Sequence, residues 1–241
     1  MKKYLRHIVV LLCALIVSNI GTAQEKNVQG GWMTFKGYYD TRDRSMITMS
    51  SLVNLPGHFQ YFGFINLFTP LDPPNKLELS LYYTEQNLFY KPFEKIPLGP
   101  NIQAVSTSGN GNDLVRFGIQ WCPSDTPVFE KFFKKINLWY IINFHLVQTN
   151  SLSTNGWQWQ IEHAYQWEIF PKTLHHRVVI SGFADNDLNF GGGTGNNNWV
   201  YEHQLGVRLI HWLYAVAQIR HEFFLPEKTG AGFGLEYQFH F

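Results

Sequence analysis

Ala231-Gly232-Phe233-Gly234-Leu235-Glu236-Tyr237-Gln238-Phe239-His240-Phe241 is the stretch whose reading decides the fold. From Phe233 onward, Phe233, Leu235, Tyr237, Phe239 and Phe241 fall on one face. Gly234, Glu236, Gln238 and His240 fall on the other. A period of two predicts a β-strand between two unlike surroundings. Its aromatic face continues to the final residue, where a soluble domain tends to fray. A strand that closes a barrel against the first strand accounts for that placement.

The other end predicts secretion. Lys2, Lys3 and Arg6 precede an apolar run from Ile8 to Val17, and Gly21-Thr22-Ala23 supplies small residues before a cleavage at Gln24. This is the layout of a signal peptide over 1–23, leaving 24–241 as one domain. The run of about ten residues is too short to span a bilayer as a helix. The chain holds 19 basic and 18 acidic residues, and removing 1–23 leaves 16 against 18. A slightly acidic domain is a poor partner for nucleic acid, whose phosphates call for a basic patch. Cys122 is the one cysteine after residue 23, so no intramolecular disulfide and no structural zinc site are expected.

Alternation recurs along the chain. About twelve segments can be marked, near 31–40, 46–56, 58–68, 76–86, 100–109, 113–122, 135–149, 157–170, 175–190, 198–211, 213–224 and 231–241. In 157–170, Trp159, Ile161, Tyr165, Trp167 and Ile169 oppose Gln158, Gln160, Glu162, Gln166 and Glu168. In 135–149, Ile136, Leu138, Tyr140, Ile142, Phe144 and Leu146 oppose Asn137, Trp139, Ile141, Asn143 and His145. In 213–224, Ala215, Ala217, Ile219 and Phe223 oppose Gln218, Arg220 and Glu222. Aromatics make up 17% of the chain, enough to supply interfacial girdles. The expected fold is therefore all-β: a transmembrane antiparallel β-barrel of about twelve strands, both termini periplasmic, in the bacterial outer membrane. A soluble sandwich or lipocalin-like barrel also alternates, but with its apolar face inward.

Leu55-Pro56-Gly57 and His211-Trp212-Leu213 suit periplasmic turns. Ser108–Asn112, Asn150–Gly156 and the Gly/Asn run Gly191–Asn198 suit the outside. The connection 123–134 breaks this rule. Its segment Val128 to Lys134 reads as a short amphipathic helix at the inner interface, or as a sign that the strand count is off by a hairpin.

Several patches resemble the nucleoside-specific outer-membrane channel (Tsx-like) family. They are Gly37-Tyr38-Tyr39-Asp40-Thr41-Arg42, Tyr61-Phe62-Gly63-Phe64-Ile65-Asn66, Ile180-Ser181-Gly182-Phe183-Ala184-Asp185-Asn186-Asp187 and Gly232-Phe233-Gly234-Leu235-Glu236-Tyr237. The C-terminal stretch also resembles the insertion signal of outer-membrane β-barrels. The resemblance implies a twelve-stranded barrel that passes nucleosides passively, without a cofactor.

Alternation assigns Glu78, Glu162, Glu168, Asp185, Glu202, Glu222 and Glu236 to the lumen, with Lys36, Arg116, Arg177, Arg208 and Arg220. A lumen of mixed sign suits polar, uncharged solutes better than a single-sign ring would. A flat base and a hydroxylated sugar call for aromatic faces beside carboxylates or amides. The inward candidates for solute contact are Tyr38, Phe64, Tyr82, Trp139 and Phe183, with Asp185, Arg208 and Arg220 as polar partners.

Catalytic signals are weak. His145 has no serine two or three residues away, and His163, His203 and His221 fall on the apolar phase. His175-His176 is a turn pair whose side chains point apart. Gly191-Gly192-Gly193-Thr194-Gly195 lacks the lysine of a phosphate loop. The expectation is a monomeric channel, not an enzyme, for passive diffusion of small hydrophilic solutes, nucleosides among them, with outer-membrane lipid as its surroundings and no metal or cofactor. A plugged barrel with a lipid-modifying or structural role stays open beside it.

Overall fold

The computed structural model describes residues 30–69, 78–93, 96–109, 113–149, 157–190 and 198–241. The expected signal peptide 1–23 and the loop residues 110–112, 150–156 and 191–197 lie outside the described residues. The strands are β1 Gly31–Asp40, β2 Arg44–Leu55, β3 Phe59–Phe68, β4 Leu81–Tyr90, β5 Leu98–Thr107 and β6 Leu114–Trp121. They continue with β7 Leu138–Gln148, β8 Trp157–Glu168, β9 Val178–Phe190, β10 Asn198–Ile210, β11 Leu213–Glu222 and β12 Thr229–His240. Each pairs antiparallel with its neighbour in sequence, and β12 returns to β1 to close a barrel.

The closing stretch does what its alternation predicts. β12 pairs with β1 from His240 opposite Trp32 to Gly232 opposite Asp40. Beyond the last pair, the Gly31 N–H donates to the Phe241 carbonyl at 2.9 Å, and the Phe241 N–H donates to the Gly31 carbonyl at 3.1 Å. Closure leaves no sheet edge for another chain to extend.

Polarity is inverted relative to a soluble barrel. Phe233 and Leu235 are 62% and 52% exposed on the outer wall, while Gln103 and Asn143 inside are 0% and 2% exposed. Ile219, Leu205, Val207, Phe117 and Trp159 extend the exposed apolar surface around the wall. So broad an apolar exterior far exceeds the patches that soluble monomers carry. Strands of 8 to 13 residues match the tilted spans of membrane barrels. This arrangement rules out the lipocalin-like alternative, whose apolar residues would fill the interior.

Three boundaries differ from expectation. The segment placed at 76–86 is β4, at 81–90, so Glu78 precedes the strand. Its outer face carries Thr84 and Gln86, which keep their polar groups occupied locally. Thr84 Oγ1 donates to the Phe64 carbonyl at 2.8 Å, Gln86 Nε2 donates to Thr84 Oγ1 at 2.7 Å, and Tyr61 bonds Gln86. Polar residues on both faces erase the alternation that would have set the phase. β9 starts at Val178 because residues 171–176 form turns, with His175 and His176 both at positive φ. Arg177 therefore lies in the connection and not on the lumen wall.

The third difference is the β6–β7 connection. A 3-10 turn, Pro123–Asp125, leads into an α-helix, α1, Pro127–Ile136. The amphipathic helix is present, and the strand count stands. Pro127 occupies the first turn, where its missing N–H costs nothing. Asn137 ends the helix in the left-handed region, φ 55°. Ile136 and Asn137, expected on β7, thus belong to the helix and its cap. Beneath it, burial pushes the Cys122 thiol up to about 11. The rim that carries α1, the turns 56–58 and 211–212 and the barrel's two chain ends is the terminal rim.

Candidate functional site: the barrel lumen

A cavity of about 1050 Å³ runs through the barrel. Its lining draws on all twelve strands, from Trp32, Trp139 and His240 at the terminal rim to Arg44, Asp187 and Asn198 at the opposite one. Phe223, Phe224 and Leu225 line that opposite mouth. Phe223 was expected to face outward from β11. The strand ends at Glu222, so Phe223 is released from the alternation and turns over the opening.

One wall, built on β1, β2, β10, β11 and β12, is a chain of alternating charges. Arg42 clamps Asp40 through Nε–Oδ1 at 2.9 Å and Nη2–Oδ2 at 2.7 Å, and its Nη1 reaches Glu222 Oε2 at 3.1 Å. Arg44 joins Glu222 at 3.5 Å. Arg220 bridges Glu222 at 3.3 Å and Glu202 at 3.4 Å. Lys36 Nζ donates to Glu202 at 2.9 Å and to Gln204 at 3.0 Å, and Gln204 donates to Glu236 at 2.7 Å. Cations and carboxylates balance along this wall. Buried pairs of this kind tolerate the loss of a partner badly. Space for the chain comes from β12: a Cβ on Gly230 would stand 2.3 Å from both Arg42 Nε and Asp40 Oδ1.

The wall from β4 to β9 is acidic. Glu85 Oε1 accepts from Gln103 Nε2 at 2.7 Å and from Asn87 Nδ2 at 3.2 Å. The same Gln103 amide donates to Glu162 Oε2 at 3.1 Å, and His145 Nε2 lies 3.2 Å from that oxygen. Asp185 and Asp187 line the cavity beside them. Arg116, whose Nη1 donates to Gln103, is the one arginine or lysine on this wall among the described residues. Among the described residues, the buried Asn87 Oδ1, Asn143 Oδ1 and Asp185 Oδ1 find no hydrogen-bond partner.

Between the two walls runs an aromatic stripe. Trp32 and Phe62 have ring centroids 6.2 Å apart, Phe62 and Phe64 6.1 Å, and Phe64 and Tyr83 5.8 Å. All four line the cavity. The Tyr83 hydroxyl donates to Glu85 at 3.0 Å, which joins the stripe to the acidic wall. A flat ring can lie against such a surface at several successive positions while its polar edge meets carboxylates and amides.

The residues predicted from sequence divide. Phe64, Trp139, Phe183, Asp185 and Arg220 line the cavity. Tyr38 points inward but is buried in the wall: its hydroxyl donates to Met46 Sδ at 2.7 Å and Lys36 stands over its ring. Arg208 sits at the terminal rim, its Nη2 donating to the His175 carbonyl at 2.7 Å. Tyr82 is a correction. With β4 in its observed phase, Tyr83 faces the lumen and Tyr82 the outside. Trp32, Phe62, Tyr83 and Glu85 were missed as candidates. The even-numbered phase of β1 and β3 would have given the first two, but their neighbourhood is set by pairing between strands.

His163, His203 and His221 lie on the outer wall as expected, each bonded through Nδ1: to Tyr140 at 2.6 Å, Tyr165 at 2.9 Å and Thr229 at 2.8 Å. Among the described residues, no group of three His, Cys, Asp or Glu side chains could hold a metal ion.

No protein-family model and no curated protein matches the chain. Solved structures do. A KdgM porin aligns at 10% identity with a TM-score of 0.52, covering 86% of this chain and 99% of that one. A KdgM porin in complex with disordered oligogalacturonate aligns at 9% identity and a TM-score of 0.50, with the same coverage. At such identities the likeness is one of fold: the chain shares the barrel architecture of these porins.

Proposed function

We propose that this protein is an outer-membrane channel for passive diffusion of small hydrophilic solutes, and that nucleosides are the class its lumen suits best. The observation that carries this reading is the aromatic stripe Trp32–Phe62–Phe64–Tyr83, which runs into Glu85 along a cavity lined by every strand. A nucleobase stacks on the rings while the ribose hydroxyls donate to carboxylate and amide oxygens. Binding along a stripe is shallow and repeated, which permits release as well as entry.

The ligand of the oligogalacturonate-bound porin does not transfer. Oligogalacturonate is a polyanion, and Glu85, Glu162, Asp185 and Asp187 face a lumen whose opposite wall is already neutralised by its own pairs. An uncharged solute avoids that repulsion.

Single-channel recording of the refolded protein in a planar bilayer tests the reading. The expected result is discrete conductance steps that added nucleosides interrupt, with interruption lost in Phe64→Ala. Steps indifferent to nucleosides would keep the channel and remove the substrate. Correctly folded protein without conductance would favour the plugged barrel, with Phe223–Leu225 as its closure.

A further inference from the structure

Helix α1 has no buried residue. Placed on a helical wheel, Val128, Phe129, Phe132, Phe133 and Ile136 share one side, and Glu130, Lys131, Lys134 and Lys135 the other. Val128 is 83% and Phe132 59% exposed. One flank of the apolar side already rests on the barrel. Phe133 stacks on Tyr140 at 6.3 Å, Phe129 approaches Trp121 at 6.3 Å, and Trp167 Nε1 donates to the Ile136 carbonyl at 2.8 Å.

Tyr140, Trp121 and Trp167 belong to the outer wall. The apolar side of α1 is therefore continuous with the surface that meets lipid, and what covers the wall covers Val128 and Phe132. On the polar side, Lys134 is held by Glu130 one turn earlier, and Lys131 and Lys135 are exposed. An amphipathic helix with lysines along its polar face lies in a bilayer interface and favours anionic headgroups.

We propose that α1 is an interfacial anchor. It lies in the leaflet at the terminal rim, its apolar side at the acyl boundary and Lys131 and Lys135 at the headgroups of anionic phospholipids. The inference rests on the membrane-barrel reading above and adds a lipid-binding element to it.

Spin labels on single introduced cysteines test it in the full chain, reconstituted in phosphatidylcholine vesicles with and without phosphatidylglycerol. With Cys13 replaced by serine, buried, protonated Cys122 leaves the introduced thiol as the reactive one. The sites are Val128→Cys, Phe132→Cys, Lys131→Cys and Lys135→Cys, with Leu235→Cys on the wall as reference. Labels at 128 and 132 should collide with oxygen several-fold more, relative to a water-soluble nickel complex, than labels at 131 and 135. Phosphatidylglycerol should deepen the label at 132, and Lys131→Gln with Lys135→Gln should abolish that deepening. A lipid signal at 235 with water signals at 128 and 132 overturns the anchor and leaves the barrel intact. Depth at 132 indifferent to phosphatidylglycerol overturns the anionic preference. A water signal at 235 overturns the membrane reading itself.

Discussion

A single glycine can hold a charge network open. At Gly230 any side chain would enter the space of the Asp40–Arg42 clamp, which anchors the chain of pairs through Glu222, Arg220 and Glu202. Gly230→Ala is expected to displace that clamp and to destabilise the barrel by roughly 3 kcal/mol, the scale of breaking a buried pair. Gly37 gives the control: nothing lies within 4 Å of a Cβ built there. Urea unfolding of the two refolded variants measures the difference, and equal midpoints would remove the steric argument. On the outer wall, the Tyr140 hydroxyl and His163 Nδ1 share a hydrogen bond of 2.6 Å. Tyr140→Phe keeps the stacking on Phe133 and orphans that nitrogen, at an expected cost of about 1 kcal/mol in the same assay. A loss below the resolution of the measurement would mean that the imidazole finds another partner.

Individual strands differ in how openly they declare their faces. β8, β10, β11 and β12 carry charged or amide side chains on one face only, so alternation assigned them correctly: Glu162, Glu202, Arg220 and Glu236 all line the cavity. β4 does not, because Thr84 and Gln86 face outward with their hydrogen bonds made to neighbours. Those bonds depend on strand pairing and on Tyr61 reaching over Gly63, which no local pattern reveals. The missed stripe has the same origin, since Trp32, Phe62 and Tyr83 meet only after β1, β3 and β4 are set in register. α1 was legible from its wheel but not its length, which Asn137 fixes. Cysteine labelling tests the phase of β4 directly. Tyr83→Cys in the inserted barrel is expected to react with a small, charged, water-soluble thiol reagent, and Tyr82→Cys to react with a lipid-soluble one. The reverse pattern would restore the phase that placed Tyr82 inside.

For the whole molecule, the inverted polarity turns the barrel's interior into the place where charge is concentrated. On one side Lys36, Arg42, Arg44 and Arg220 meet Asp40, Glu202 and Glu222 in direct pairs, and Glu236 is held through Gln204. On the other, Glu85, Glu162, Asp185 and Asp187 face the lumen with Arg116 as their nearest fixed cation. A narrow, low-dielectric passage focuses such an imbalance, so mobile cations are drawn in and anions held out. Under a potassium chloride gradient the reversal potential is therefore expected to report potassium permeating ahead of chloride. Gln103 amide bonds join Glu85 to Glu162, which makes these two carboxylates one electrostatic unit. Glu85→Gln together with Glu162→Gln should bring the permeability ratio toward unity while leaving the paired wall and the conductance steps in place. The effect should shrink at high salt, where screening shortens the reach of the remaining acids. A preference for chloride in the unaltered protein would mean that the acidic wall is neutralised by protons or bound cations.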